Sequence, residues 1–286
     1  MNRLTSWIEV TIPAASESFE PVENFLFEQG SCGIEEDKKV LKGYFREDLF
    51  SEKIKKLLEF YIENLRMMGF SIGTPEYRNI PAEDWNHNWE KNFKPIQITS
   101  RIVVKPPWEK WKSKSNQIII NIIPKMAFGT GTHETTQLLL ELLEVYLHPS
   151  ETVLDIGTGS GILAIAGAKL GASRVLGVEI DRNAVKNAKE NIFYNKVDHI
   201  AEIRPGSIET IGSEKFDLVL ANIDRITITN LLPKLGGYIL PDTRLLFSGF
   251  LTTDEKEMKE TFSVYGYQPI ETKSKGEWLS FVVCRP

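Results

Sequence analysis

The stretch Val153-Leu154-Asp155-Ile156-Gly157-Thr158-Gly159-Ser160-Gly161 joins a short apolar strand to a turn that is rich in glycine. An apolar segment with the length of a helix follows the turn and runs through Leu170. Glycines between a strand and a helix let a ligand approach the backbone closely, at the positive end of the helix. The stretch therefore predicts a ligand-binding turn, with Gly157 and Gly159 as contacts of a small ligand.

Downstream of this turn, strands alternate with helices. The predicted strands are Arg174–Ile180, Phe216–Ala221 and Leu245–Ser248. Strands separated by helices form a parallel sheet with right-handed crossovers. The last two strands, Tyr267–Thr272 and Trp278–Cys284, are joined by so few residues that they must form an antiparallel hairpin. Residues 125–286 thus predict a Rossmann-like α/β domain, with an ending that is not expected of a dinucleotide-dependent dehydrogenase.

Residues 1–77 predict a separate alternation of short strands with helices. Trp7–Ile12 alternates apolar with polar residues, as a half-buried strand does. Leu49–Met68 has the apolar period of an amphipathic helix, and Phe70–Tyr77 is predicted as the last strand. The predicted order, β-α-β-β-α-β, is typical of a small ferredoxin-like α+β domain.

A segment rich in tryptophan, residues 78–124, is predicted to link the two domains. Its large aromatic residues are Trp85, Trp89, Phe93, Trp108 and Trp111. Small strands are predicted at 98–105 and 118–122. We interpret the aromatic side chains as interdomain packing, with substrate contact as the alternative.

Charge distinguishes two cofactors that this architecture could bind. Glu179 ends the second strand, where an acid can accept hydrogen bonds from ribose hydroxyls of either a dinucleotide or S-adenosylmethionine. Asp155 precedes the glycine turn, where a pyrophosphate would lie, and a carboxylate there would repel it. S-adenosylmethionine carries a sulfonium and an ammonium instead of phosphates. Asp155 therefore favours S-adenosylmethionine.

Two further motifs contain candidate site residues. The run from Ala127 to Thr136 has glycines followed by hydroxyls at the start of a helix, a pattern suited to a small-ligand loop, with a helix cap as the alternative. Ala221-Asn222-Ile223 ends the fourth strand, at the edge where ligands of parallel sheets bind. Asn222 can orient a neutral amine without stabilising its ammonium form, which makes it the predicted catalytic residue. A role in the turn alone is the alternative.

These motifs resemble those of the methyltransferases that modify protein eleven of the large ribosomal subunit. The resemblance rests on the runs Met126–Thr136, Leu154–Ala164, Ala221–Ile223, Ser248–Gly249 and Glu277–Trp278. It implies a class I S-adenosylmethionine-dependent fold and an N-terminal domain that recognises the ribosomal protein. It also implies acceptors that are lysine ε-amines and the N-terminal α-amine. The implied cofactor contacts are Thr136, Gly157, Glu179 and Asn222.

The chain departs from the family pattern at two places. Glu179 stands where the family usually has Asp, which keeps the charge. The family's Asn-Ile-Leu-Ala reads Asn222-Ile223-Asp224-Arg225, so two small or apolar residues become charged. We expect the cofactor to be unaffected, whereas the acceptor and the degree of methylation stay open.

Composition restricts the partners and the location. The formal net charge of −5 gives no general affinity for nucleic acid phosphates. No apolar run approaches the ~20 residues that span a bilayer, and no signal peptide is recognisable. His133 has no companion ligand nearby and the two cysteines match no metal spacing, so no metal is expected. We predict a cytoplasmic protein, monomeric, without a direct nucleic acid requirement.

The predicted activity is methylation of a large-subunit ribosomal protein, in which a neutral amine attacks the sulfonium methyl group in line. Positioning and desolvation are the expected contributions of the protein, because the cofactor is already activated. Three alternatives remain open: a methyltransferase of similar plan that acts on lysines of another protein, a nicotinamide-dependent oxidoreductase, and a ribosome-binding protein without activity.

Overall fold

The computed structural model describes residues 6–15, 18–37, 39–80, 93–124 and 129–285. The chain divides between Asn92 and Phe93 into two compact units. None of the described helices combines the length and the apolar character that a bilayer crossing requires.

The described residues of the first unit form four strands and two helices. They are β1 (Trp7–Pro13), α1 (Phe19–Glu28), β2 (Gly33–Asp37), β3 (Val40–Arg46), α2 (Glu52–Met67) and β4 (Glu76–Ile80). The sheet has the order β2-β3-β1-β4, and every neighbouring pair is antiparallel. Its core is formed by apolar side chains of the central strand β1 and of both helices, among them Val10, Leu26 and Ile62.

The predicted order of helices and strands in this unit is confirmed, but the predicted position of its last strand, 70–77, is wrong. The last strand, β4, begins at Glu76 and pairs with β1 as far as Ile80. Ile72 forms an isolated bridge with Ala14 instead. The side chain of Ile72 is buried in the core. The apolar residues near position 72 therefore reflect burial in the core and not a strand.

Residues 93–124 contain a sheet of three strands. They are β5 (Ile96–Gln97), β6 (Ile102–Lys105) and β7 (Ile118–Asn121). β5 is antiparallel to β6, which is parallel to β7. Four aliphatic side chains of this segment lie in the core of the second unit: Ile102, Val104, Ile120 and Ile122. The segment therefore shares that core. Trp85 and Trp89 of the predicted linker lie outside the described residues.

The rest of the second unit is an alternation of helices and strands. The elements are α3 (Glu134–Tyr146), β8 (Thr152–Ile156), α4 (Ile162–Leu170), β9 (Arg174–Glu179), α5 (Arg182–Tyr194), β10 (Ala201–Pro205), β11 (Phe216–Asn222), α6 (Arg225–Leu235), β12 (Ile239–Leu251), α7 (Glu255–Val264), β13 (Gln268–Lys275) and β14 (Trp278–Cys284). One sheet with the order β10-β9-β8-β11-β12-β14-β13 contains all of these strands. β12 is longer than the predicted 245–248.

The sheet is mixed, as the sequence predicted. The five strands β8 to β12 pair in parallel, and β14 pairs antiparallel with both β12 and β13. The predicted closing hairpin is thus confirmed. Apolar side chains of α3, α4 and α5 cover one face, and those of α6 and α7 cover the other. This two-sided burial explains the nearly continuous apolar sequences of β8 and β11.

Candidate functional site

A cavity of about 420 Å³ lies at the carboxyl edge of the second unit's sheet. The strand order reverses between β8 and β11, and ligands of open α/β sheets bind at such a switch point. The predicted site residues that line the cavity are Gly157, Gly159, Glu179 and Asn222. The fold therefore brings these four together. Met126, Ala127 and Phe128 of the second motif lie outside the described residues.

The side chain of Glu179, at the end of β9, forms a hydrogen bond with the glycine turn. Its Oε2 accepts a hydrogen bond from the backbone N–H of Gly159 at 3.0 Å, and its Oε1 accepts one from the N–H of Asp181 at 3.0 Å. Gly159 has a φ of 54°, in the left-handed region that favours glycine. Glu179 thus shapes the turn as well as facing the cavity.

Asp155 lies outside the cavity lining, although we expected it to face the cofactor. Its side chain is fully buried, and its Oδ2 accepts a hydrogen bond from the Thr158 hydroxyl at 2.5 Å. Its Oδ1 has no hydrogen-bond partner. Burial raises the pKa of this carboxyl to about 7, and the charge of Glu179 contributes in the same direction. Asp155 therefore does not contact a ligand in the cavity directly, and its position in the core explains why its pKa is raised.

Asn222 is the last residue of β11 and lines the cavity, where the sequence placed it. Its Nδ2 donates a hydrogen bond to the Thr136 hydroxyl oxygen at 3.2 Å. Thr136 is itself fully buried in α3 and does not line the cavity, so it contacts Asn222 instead of forming the wall. Because the amide nitrogen binds Thr136, the amide oxygen is the atom left to accept a hydrogen bond from a substrate.

Two glycines enclose the residue that follows Asn222. A Cβ at Gly157 would lie 2.7 Å from Cγ2 of Ile223, and a Cβ at Gly249 would meet the carbonyl oxygen of Ile223. Gly249 has a φ of 104° and lies where the pairing of β12 with β14 shifts register. The N–H of Ile223 donates to the carbonyl of Ser248 at 3.2 Å. Ser248-Gly249 is recognisable in the sequence only as part of a motif, and no local signal indicates this packing role.

The charged pair that departs from the family pattern has defined contacts. Asp224 lines the cavity and caps α6, because its Oδ1 accepts from the N–H of Thr227 at 3.0 Å and its Oδ2 from the Thr227 hydroxyl at 2.6 Å. These hydrogen bonds hold the pKa of Asp224 below its usual value. Arg225 forms ion pairs with Asp254, which precedes α7, and with Glu257 in α7.

The cavity is acidic. Three carboxylates line it, those of Glu179, Asp181 and Asp224, and among the described lining residues none is basic. Asp181 also caps α5, by accepting from the N–H of Asn183 at 2.8 Å. Neither Asp181 nor Asp224 was among the predicted site residues, although an acidic helix cap shortly after a parallel strand was an available signal in the sequence. Such a wall disfavours a pyrophosphate and suits a cationic ligand.

The family model of the ribosomal protein L11 methyltransferases (PrmA) matches residues 6–286. The chain belongs to this family. The ribosomal protein L11 methyltransferases of Alkaliphilus oremlandii and Clostridium perfringens are 36% and 35% identical to it, over 96% and 97% of this chain and 97% and 98% of their own length. A crystal structure of ribosomal protein L11 methylase from Lactobacillus delbrueckii subsp. bulgaricus is 32% identical, with a TM-score of 0.63, and matches over 67% of this chain and 98% of that chain.

Membership of the L11 methyltransferase family confirms three predictions. The resemblance inferred from the motifs is correct, the second unit is a Rossmann-like methyltransferase fold, and the cofactor is S-adenosylmethionine. The cavity fits that cofactor, because it combines left-handed glycines, a carboxylate at Glu179 and a wall in which no described residue is positively charged.

Proposed function

We propose that this protein transfers methyl groups from S-adenosylmethionine to amines of ribosomal protein L11, with Asn222 as the catalytic residue. The observation that carries the proposal is the acidic cavity at the carboxyl edge, into which Asn222 presents a neutral amide. Lysine ε-amines and the N-terminal α-amine are the proposed acceptors.

Each cofactor contact has a separate task in this proposal. Gly157 and Gly159 let the ligand approach the backbone, and Glu179 accepts hydrogen bonds from the ribose hydroxyls. When bound, S-adenosylmethionine supplies a methyl group that its sulfonium has already activated. The role of Thr136 is indirect, since its hydroxyl holds the amide nitrogen of Asn222.

Asn222 is suited to orient an amine that must attack as the neutral form. Its amide oxygen can accept a hydrogen bond from the N–H of the acceptor and so direct the nitrogen lone pair. A carboxylate at this position would stabilise the ammonium form, which has no lone pair. The proton of the acceptor leaves to solvent, and we assign no general base.

The first unit is proposed to recognise the ribosomal protein. Its element order and its sheet order β2-β3-β1-β4 support a ferredoxin-like domain, and none of the predicted cofactor contacts lies in it. A ribosomal substrate further favours action in the cytoplasm. We propose that the enzyme works as a monomer and needs no nucleic acid.

Transfer of a labelled methyl group in a ribosomal extract tests this proposal. The purified chain is incubated with labelled S-adenosylmethionine and ribosomal proteins from a strain that lacks the enzyme, and mass spectrometry identifies the labelled protein. We expect the label on lysines and the N-terminus of L11. Label on lysines of another protein alone would assign a different substrate, which Asp224 and Arg225 would then explain. No protein label at all would contradict the proposed function.

A further inference from the structure

Two of the three carboxylates of the cavity lie close together, because Glu179 ends β9 and Asp181 is the N-cap of α5. The third, Asp224, is the N-cap of α6, which follows β11. Asp224 thus adds a negative charge to the cavity two residues after Asn222.

Each of the three carboxylates accepts at least one hydrogen bond from a backbone N–H. Glu179 accepts two at 3.0 Å, Asp181 accepts one at 2.8 Å, and Asp224 accepts one at 3.0 Å. For Asp224, the hydrogen bonds from Thr227 lower the pKa of the carboxyl below its usual value, so this residue carries its charge near neutral pH.

The neighbouring cation does not neutralise Asp224. Arg225 forms ion pairs with Glu257 of α7 and with Asp254, which precedes α7. The side chain of Asp224 instead accepts hydrogen bonds from the N–H and the hydroxyl of Thr227. The field of Asp224 thus reaches the cavity. The negative charge of the cavity wall also acts on Asp155, which lies before the glycine turn. Burial raises the pKa of Asp155, and the charge of Glu179 raises it further.

The methyl donor and its product differ in the property to which this wall responds. In the transfer, the nitrogen lone pair of the acceptor forms a bond to the methyl carbon as the bond between that carbon and sulfur breaks. The electron pair of the broken bond stays on sulfur, so the sulfonium becomes a neutral thioether, and the methylated nitrogen releases its proton to solvent. The product therefore has one positive charge fewer than the donor and nearly the same shape. A wall of carboxylates attracts the donor more strongly than the product.

Resting on the proposed function, we propose that the cavity selects the methyl donor over the demethylated product by charge, and that Asp224 strengthens this selection. The consequence is easier exchange of product for fresh donor between successive methyl transfers. A chain with an apolar residue at this position would hold the product more tightly relative to the donor.

Calorimetric binding of S-adenosylmethionine and S-adenosylhomocysteine to the full chain tests the selection. The variant is Asp224→Asn, which keeps an N-cap acceptor for Thr227 and removes only the charge. The control is Asp198→Asn, which removes an exposed carboxylate that does not line the cavity. We expect the preference for the donor to fall roughly two- to fivefold in Asp224→Asn, the range of one exposed ion pair, and to stay unchanged in the control.

A second measurement needs no variant. The preference of the wild-type chain for the donor should decrease as the salt concentration rises, because salt screens the carboxylates. An unchanged ratio of the two Kd values in folded Asp224→Asn, or a wild-type ratio that salt does not alter, would overturn the inference. If Asp224→Asn does not fold, Asp181→Asn replaces it, since Asn also caps α5. Failure of wild-type protein to bind either ligand would refute the proposed function instead.

Discussion

The amide of Asn222 donates a hydrogen bond from Nδ2 to the Thr136 hydroxyl, and we propose that its oxygen accepts one from the substrate amine. Two substitutions test this role. Asn222→Ala should lower methyl transfer by about 1–3 kcal/mol of transition-state stabilisation, the usual range for an unpaired buried polar group. Asn222→Asp should bind the cofactor nearly normally but transfer more slowly, with its pH–rate profile shifted upward because the carboxylate favours the ammonium form. Single-turnover rates across pH measure both effects. Wild-type rates in both variants would reduce Asn222 to a turn residue.

Asp155 makes the stability of the protein depend on pH in an unusual direction. Burial raises the pKa of its carboxyl to about 7, far above the value in an unfolded chain. Between about pH 4 and pH 7 the folded state therefore binds more protons than the unfolded state, and this contribution to stability is lost as the pH rises through that interval. We expect Asp155→Asn to abolish this decrease in stability with rising pH.

Urea unfolding at about pH 5 and about pH 7.5 measures this effect as a difference between variants. The free energy of unfolding of the wild-type protein should fall relative to that of Asp155→Asn between the two pH values. Parallel behaviour of the two proteins would show that the carboxyl is not protonated in the folded state at the lower pH.

Among the elements, the contact between β12 and the end of β11 determines where Asn222 lies. Gly249→Ala would place a Cβ against the carbonyl of Ile223 at a φ of 104°, so we expect a loss of about 1–3 kcal/mol in stability and a lower kcat. Gly276→Ala is the matched control, because its φ is also positive, at 58°, and a Cβ there meets no atom within 4 Å. Melting temperature and kcat are measured for both. Equal effects in the two variants would argue against a specific role of the contact with Ile223.

The sequence predicted those elements and site residues whose signals are local. We could predict the glycine turn, the acid at Glu179 and the position of Asn222, because each depends only on residues next to a single strand. The enclosure of Ile223 by two glycines could not be predicted, because it depends on β8 and β12 lying on either side of β11.

Burial was the second property that the sequence did not reveal. A carboxyl before a glycine turn reads as a ligand contact, yet packing encloses Asp155 completely and leaves Asp224 to line the cavity. Similarly, the aliphatic residues of 93–124 read as a linker because their strands are short. Their partners are distant in sequence, in the core of the second unit.

At the scale of the whole molecule, the position of the domain boundary can be tested by truncation. A chain that starts at Phe93 keeps β6 and β7, whereas one that starts at Lys125 loses four fully buried aliphatic side chains. At about 1.5–3 kcal/mol for each, the second truncation forfeits roughly 6–12 kcal/mol, which is comparable to the total stability of a domain. We expect the longer fragment to unfold cooperatively and bind S-adenosylmethionine, and the shorter one to do neither. Cooperative unfolding of both fragments would show that the core of the second unit does not need residues 93–124, in agreement with the prediction that 78–124 is a linker.

The central claim, that this chain methylates ribosomal protein L11 through the acidic cavity, is tested most directly by the intact mass of purified L11. L11 is incubated with S-adenosylmethionine and either the wild-type chain or Glu179→Ala, which lacks the carboxylate bound to the glycine turn. We expect the mass of L11 to increase in steps of one methyl group with the wild-type chain, and to increase much more slowly with Glu179→Ala. An L11 mass that the wild-type chain leaves unchanged, while it binds S-adenosylmethionine, would contradict the substrate; equal rates for the two chains would contradict the site.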